Sequence, residues 1–148
     1  MLKKLLWVSM VFIAAAGPSG PTAAQRHAPA LAPGQVWSIK STLPTTAKVV
    51  INRVEPWEHR LVVHVSVVDV PIPPDTPGAG RTTVIGHMPF EQSALAASVD
   101  RLLATGAAPA SSFEGGYKGW QDAKGGIFTI DVEQAIKFVF QTLSRRQG

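Results

Sequence analysis

An α+β fold is predicted, with a mainly antiparallel sheet of about five strands and two amphipathic helices packed on one of its faces. Three features of the chain carry that prediction. Two long runs, AKVVINRVE (47–55) and RLVVHVSVVDVPI (60–72), are dense in β-branched residues and separated by only PWEH, a connection of ordinary hairpin length. Residues 82–103 pass from a strand-like run through Pro89 into helical spacing. Near the end, Val132, Ala135, Ile136, Val139, Phe140 and Leu143 recur on one helical face. The order read along the chain is β-β-β-β-α-β-α.

The opening residues read as an export signal. Met1-Leu2-Lys3-Lys4 is a short basic start, and LLWVSMVFIAAAG (5–17) is an uninterrupted apolar run. That run is shorter than the about 20 residues a membrane span needs, and it suits a signal core. Pro18, Gly20 and Pro21 break it, and Thr22-Ala23-Ala24 offers small residues for cleavage after Ala24. The division expected is therefore a signal at 1–24, a Pro/Ala-rich leader at 25–34, one domain at 35–143 and a polar tail at 144–148. No membrane span is expected once the signal is removed. The compartment expected is the bacterial periplasm or the exterior.

The first strand is QVWSIKS (35–41), where Trp37 and Ile39 share a face. In the third, Leu61, Val63, Val65 and Val67 make one apolar face, while His64 and Ser66 put a polar centre into the other. PIPPDTPGAG (71–80) stops that strand, because proline donates nothing to a ladder. RTTVIGHM (81–88) returns to the sheet. Pro89 then suits a first helical turn and holds Met88 extended. Leu95, Val99, Leu102 and Leu103 continue at helical spacing until Gly106. Residues 105–126 read as a long irregular loop carrying Phe113, Tyr117 and Trp120 among glycines. IFTI (127–130) reads as a short strand, and Asp131 with Gln134 forms a capping-box-like start to the last helix.

The sequence has no cysteine, which rules out disulfides and thiolate chemistry. The formal charge is +4, yet Lys3 and Lys4 lie in the signal, Arg26 in the leader, and Arg145 and Arg146 in the tail. Between Gln35 and Leu143 nine Lys/Arg face ten Asp/Glu, scattered along the chain. A phosphate-binding surface needs clustered cations, so no nucleic-acid partner is expected.

Catalytic patterns are sparse. Neither an HExxH nor a G-x-S-x-G occurs. His27 and His59 fall in the leader and a turn, whereas His64 and His87 lie on strands. No cofactor and no metal site is expected. Rings on a Gly-rich segment can anchor an interface, and equally can fold back to plug the open edge of the core; the candidate binding residues are Phe113, Tyr117, Trp120, His64 and His87. The function expected is non-catalytic binding of a protein or cell-envelope component, of inhibitor or immunity type. The rival is a small hydrolase or lyase using His64 and His87. The sequence does not set the oligomeric state.

Overall fold

A computed structural model describes residues 30–147. The expected signal, the leader up to Pro29 and Gly148 lie outside the described residues. The elements are β1 (Val36–Ile39), β2 (Lys48–Trp57), β3 (Arg60–Pro71), β4 (Thr82–Glu91), α1 (Gln92–Ser98), β5 (Val99–Ala104), α2 (Phe113–Asp122) and α3 (Val132–Arg145). One open antiparallel sheet runs β4-β3-β2-β1-β5, giving the mixed α+β architecture the sequence predicts.

Strands β2 and β3 form the spine. Trp57 pairs with Arg60, so the hairpin turns on Glu58 and His59, with Glu58 in the left-handed region at φ 53°. That tight turn fixes the register: Arg53 faces His64 and Glu55 faces Val62. Because side chains alternate along a strand, β3 then splits its residues between two environments. Val63, Val65 and Val67 join Val49, Ile51, Met88 and Phe90 in the main core, beneath Leu95 of α1 and Val132 and Ala135 of α3. His64 and Ser66, also fully buried, face the opposite side, where α2 lies.

The two predicted amphipathic helices thus do share one face of the sheet. Asp131 caps α3, its side chain accepting from the Gln134 backbone N–H at 2.8 Å. The face of α3 is narrower than its spacing implies, since Leu143 is about half exposed.

Three local expectations are corrected. Pro89 lies inside β4, paired with His64, and not in a first helical turn; the helix starts at Gln92 and ends at Ser98 instead of running to Leu103, and the fifth strand is Val99–Ala104. Ser98 is buried; its Oγ donates to the Ala94 carbonyl and accepts from the Val132 N–H, and its carbonyl accepts from the Lys40 N–H at 2.7 Å. These bonds pull the chain alongside β1, whose outer edge would otherwise lack a partner. Leu102 and Leu103 therefore leave the helical stripe and sit roughly half exposed.

The segment 127–130 is not a strand. It makes a single parallel bridge, Phe90 with Phe128, through Glu91 N–H to Phe128 O and Phe128 N–H to Pro89 O, both 2.9 Å. The glycine-rich stretch 105–126, expected to be irregular, contains α2. The order is therefore β-β-β-β-α-β-α-α, and α2 occupies the face that α1 and α3 leave open.

Order also reaches back past Gln35. Leu31 is buried in the main core, and the Gln35 side chain accepts from Ala32 N–H and Trp37 Nε1–H while donating to the Ala30 carbonyl. No helix among the described residues is long and apolar enough to cross a membrane.

Candidate functional site

All five candidate residues meet in one cluster between the sheet and α2. His64 comes from the polar centre of β3 and His87 from β4, where the register slips between the Val65–Met88 and Val67–Ile85 pairs. Ser66 stands beside that slip, its hydroxyl donating to the Gly86 carbonyl at 2.8 Å and accepting from the Asn52 amide at 2.8 Å. Asn52 itself bulges out of the β2 ladder between Ile51 and Arg53. Phe113, Tyr117 and Trp120 descend from α2 at i, i+4, i+7 and are all buried, with Trp57 and Ile127 packed against them.

α2 lies very close to the sheet. A Cβ at Gly116 would come within 2.7 Å of the His87 Cβ, and one at Gly86 within 2.2 Å of the Ser112 Oγ. Glycine at these two positions is what permits the approach. The rings interlock around the imidazoles: Tyr117 and Trp120 lie edge-on to His64 at 4.9 and 4.8 Å, and Phe113 edge-on to His87 at 5.6 Å. The Arg53 guanidinium covers the outer face of the Tyr117 ring at 4.2 Å, a cation–π arrangement.

A continuous hydrogen-bonded chain runs through the cluster. Gln121 Nε2 donates to the Tyr117 hydroxyl at 3.0 Å, and that hydroxyl donates to Glu55 at 3.0 and 3.1 Å. His64 Nε2 lies 2.8 Å from the same carboxylate, and His64 Nδ1 lies 2.9 Å from His87 Nε2. Chemistry fixes the protons. An ionised carboxylate only accepts, so His64 carries its hydrogen on Nε2. The Nδ1 of neutral His64 must then accept, so His87 donates from Nε2. The remaining nitrogen, His87 Nδ1, is left as a lone pair and has no hydrogen-bond partner among the described residues.

Burial holds both imidazoles neutral. His87 is lowered to about 4, first by desolvation and then by the neighbouring His64. His64 is also lowered, although Glu55 is only 2.8 Å away. Desolvation wins there because the His64 ring has no exposed surface, while Glu55 keeps 28% of its side chain in water and divides its charge with Tyr117. Arg53, directly opposite in the register, adds to the lowering. The Glu55–His64 contact is therefore a hydrogen bond to a neutral ring.

The sequence singles out the histidines and rings but passes over Glu55, Arg53 and Trp57. Their signal is positional: once the turn at Glu58–His59 is known, Arg53 and Glu55 fall on the His64 face. The sequence leaves open whether the rings stand exposed or fold back to plug the core; they form a second small core. Three surface concavities lie away from the cluster. One of 440 Å³ is lined by residues including Lys40, Thr42, Glu133 and Lys137, one of 570 Å³ by Pro73 and Phe140 among others, and one of 250 Å³ by Gly126, Ile127, Phe128 and Phe138. Among the described residues no three His, Asp or Glu side chains are grouped to hold a metal ion. Compared with known proteins, the chain matches no family model, no curated protein and no solved structure.

Proposed function

We propose that this protein is an exported, non-catalytic binding domain that recognises a protein or cell-envelope component, in the manner of an inhibitor or immunity protein. Its compartment is the periplasm or the exterior, reached through the signal at residues 1–24. One observation carries the reading. Phe138 on α3 keeps 54% of its surface in water while its ring stands edge-on to Phe128 at 6.1 Å, beside the 250 Å³ concavity. Isolated exposed apolar residues need no explanation. A half-exposed ring beside an apolar hollow has the form of an interface anchor and its pocket. By contrast, Tyr117 and Trp120 are committed to the interior.

The test is paired. Envelope extract is passed over the immobilised domain, and the captured component is measured against wild type and Phe138→Ala. The expected result is at least a tenfold weaker complex with an unchanged melting temperature. Equal affinity would overturn the reading.

A second reading, a small hydrolase or lyase using His64 and His87, is favoured by the Glu55–His64–His87 alignment, which leaves His87 Nδ1 as a base. It requires that His87→Gln abolish turnover of a model ester or lyase substrate at unchanged stability.

A further inference from the structure

The two faces of the sheet differ in what they can tolerate. The face under α1 and α3 is wholly apolar, with Val63, Val65 and Val67 fully buried. The face under α2 carries Asn52, Arg53, Glu55, His64, Ser66 and His87. Exposing the first to water would dissolve the fold. Exposing the second would return polar groups to the solvent they prefer and uncover only the small ring cluster of α2, leaving the main core intact.

The helix that covers the polar face is intrinsically weak. Three of its residues, Gly115, Gly116 and Gly119, are the poorest helix formers after proline. Only Gly116 has a steric reason to be glycine, because a Cβ at Gly115 or Gly119 would meet nothing within 4 Å. Its N-cap, Ser112, makes no side-chain capping bond. α2 is held by its three rings and by the Tyr117–Glu55 hydrogen bonds, in a small cluster distinct from the main core.

We propose that α2 is a proton-operated latch, seated on the Glu55–His64–His87 chain and released from the sheet on acidification while the sheet, α1 and α3 stay folded. The docked chain has room for two hydrogens on its inner nitrogens, one from His64 to Glu55 and one from His87 to His64. A further proton on either ring places a cation under the rings of α2. A proton on both nitrogens of the 2.9 Å contact sets two donors against each other. The charged and titratable groups facing the pair are Glu55 and Arg53 from β2 and, from α2, the Tyr117 hydroxyl and Glu114, which lies 3.8 Å from Arg53. Among the described residues Glu55 is the single anion touching the pair, and Tyr117 already shares it. With α2 undocked, both imidazolium ions reach water beside Glu55.

The direction of the effect is fixed. His87 is held at about 4 when docked, first by desolvation; release returns the ring to water and raises it toward its ordinary value, so a proton is taken up on release and docking weakens as pH falls below 6.5. For His87 alone, a full return to 6.5 on release sets the ceiling, at which α2 opens about thirtyfold more often at pH 5 than at pH 7.5.

The experiment is native-state amide exchange on the full chain across that range, corrected for intrinsic rates. The expected result is that amides of residues 114–122 are less protected than those of β2 and β3 at every pH, and lose at least tenfold of that protection between pH 7.5 and pH 5. The double variant Gly115→Ala/Gly119→Ala should raise the protection of 114–122 at every pH and leave its pH dependence unchanged, because it strengthens the helix without touching the seat. His87→Gln should flatten the pH dependence; if it does not fold, the wild-type and glycine-variant series still decide. Protection of α2 that is constant with pH, or that equals that of β3 at every pH, overturns the proposal.

Discussion

His64 and His87 share one hydrogen across adjacent strands, their ring nitrogens 2.9 Å apart and their planes within 17° of parallel. Each ring depends on the other's neutrality. The pair ties β3 to β4 through side chains as well as backbone, and through Glu55 and Tyr117 it ties both to β2 and α2.

The first prediction is the pH profile of global stability. Both histidines are depressed, so the unfolded chain binds more protons than the native one below pH 6.5, and stability falls with pH from there. His87 alone accounts for a loss on the order of 3 kcal/mol by pH 4. Urea melts at pH 7.5 and pH 5 should show it, with a smaller difference in His87→Gln. A flat profile would mean the rings are not buried neutral.

The second concerns Tyr117 and Trp120. Both are buried, so Trp120→Ala is expected to cost about 3 to 5 kcal/mol. Differential scanning calorimetry reads the loss directly. A near-neutral outcome would place these rings back on an exposed surface.

The third isolates one hydrogen bond. Tyr117→Phe keeps the ring and removes the hydroxyl that donates to Glu55 and accepts from Gln121. Water can replace part of this at the partly exposed carboxylate, so the cost should be about 1 kcal/mol. In a double-mutant cycle with Glu55→Gln the two changes should be non-additive by a similar amount. Full additivity would show that the bond is not made.

The fourth tests the opposite face. Ala135 is fully buried in the main core between α3 and the sheet. Ala135→Asp buries an unpaired charge and should abolish the folded state at room temperature. Far-UV circular dichroism of the variant against wild type checks it.

The spine of this fold was legible because its patterns are unmixed. β2 and β3 are dense in β-branched residues, and α3 has both an apolar stripe and a capping aspartate. α2 was hidden by its own composition. Phe113, Tyr117 and Trp120 have helical spacing, but three glycines in ten residues read as loop. β5 misled in the other direction: Val99, Leu102 and Leu103 fit a helix, and only the unfilled edge of β1, a long-range fact, turns them into a strand. At the cluster, residue type alone pointed to His64 and His87. Glu55 became visible only through hairpin register, since one residue of slip would have sent it to the other face.

Trp57 and Trp120 stand with ring centroids 4.8 Å apart and planes tilted by 50°. Two indoles this close and this oblique do not absorb independently. Their transition dipoles couple, and the pair should give a split circular-dichroism band of opposite-signed lobes that neither ring shows alone. One partner sits at the end of the β2–β3 hairpin and the other on α2, so the signal exists only while helix and hairpin are together. Trp37, in the main core on β1, belongs to neither side of this exchange. The chain thus carries a built-in chromophore pair that reports the distance between one helix and the sheet, without a label and in real time.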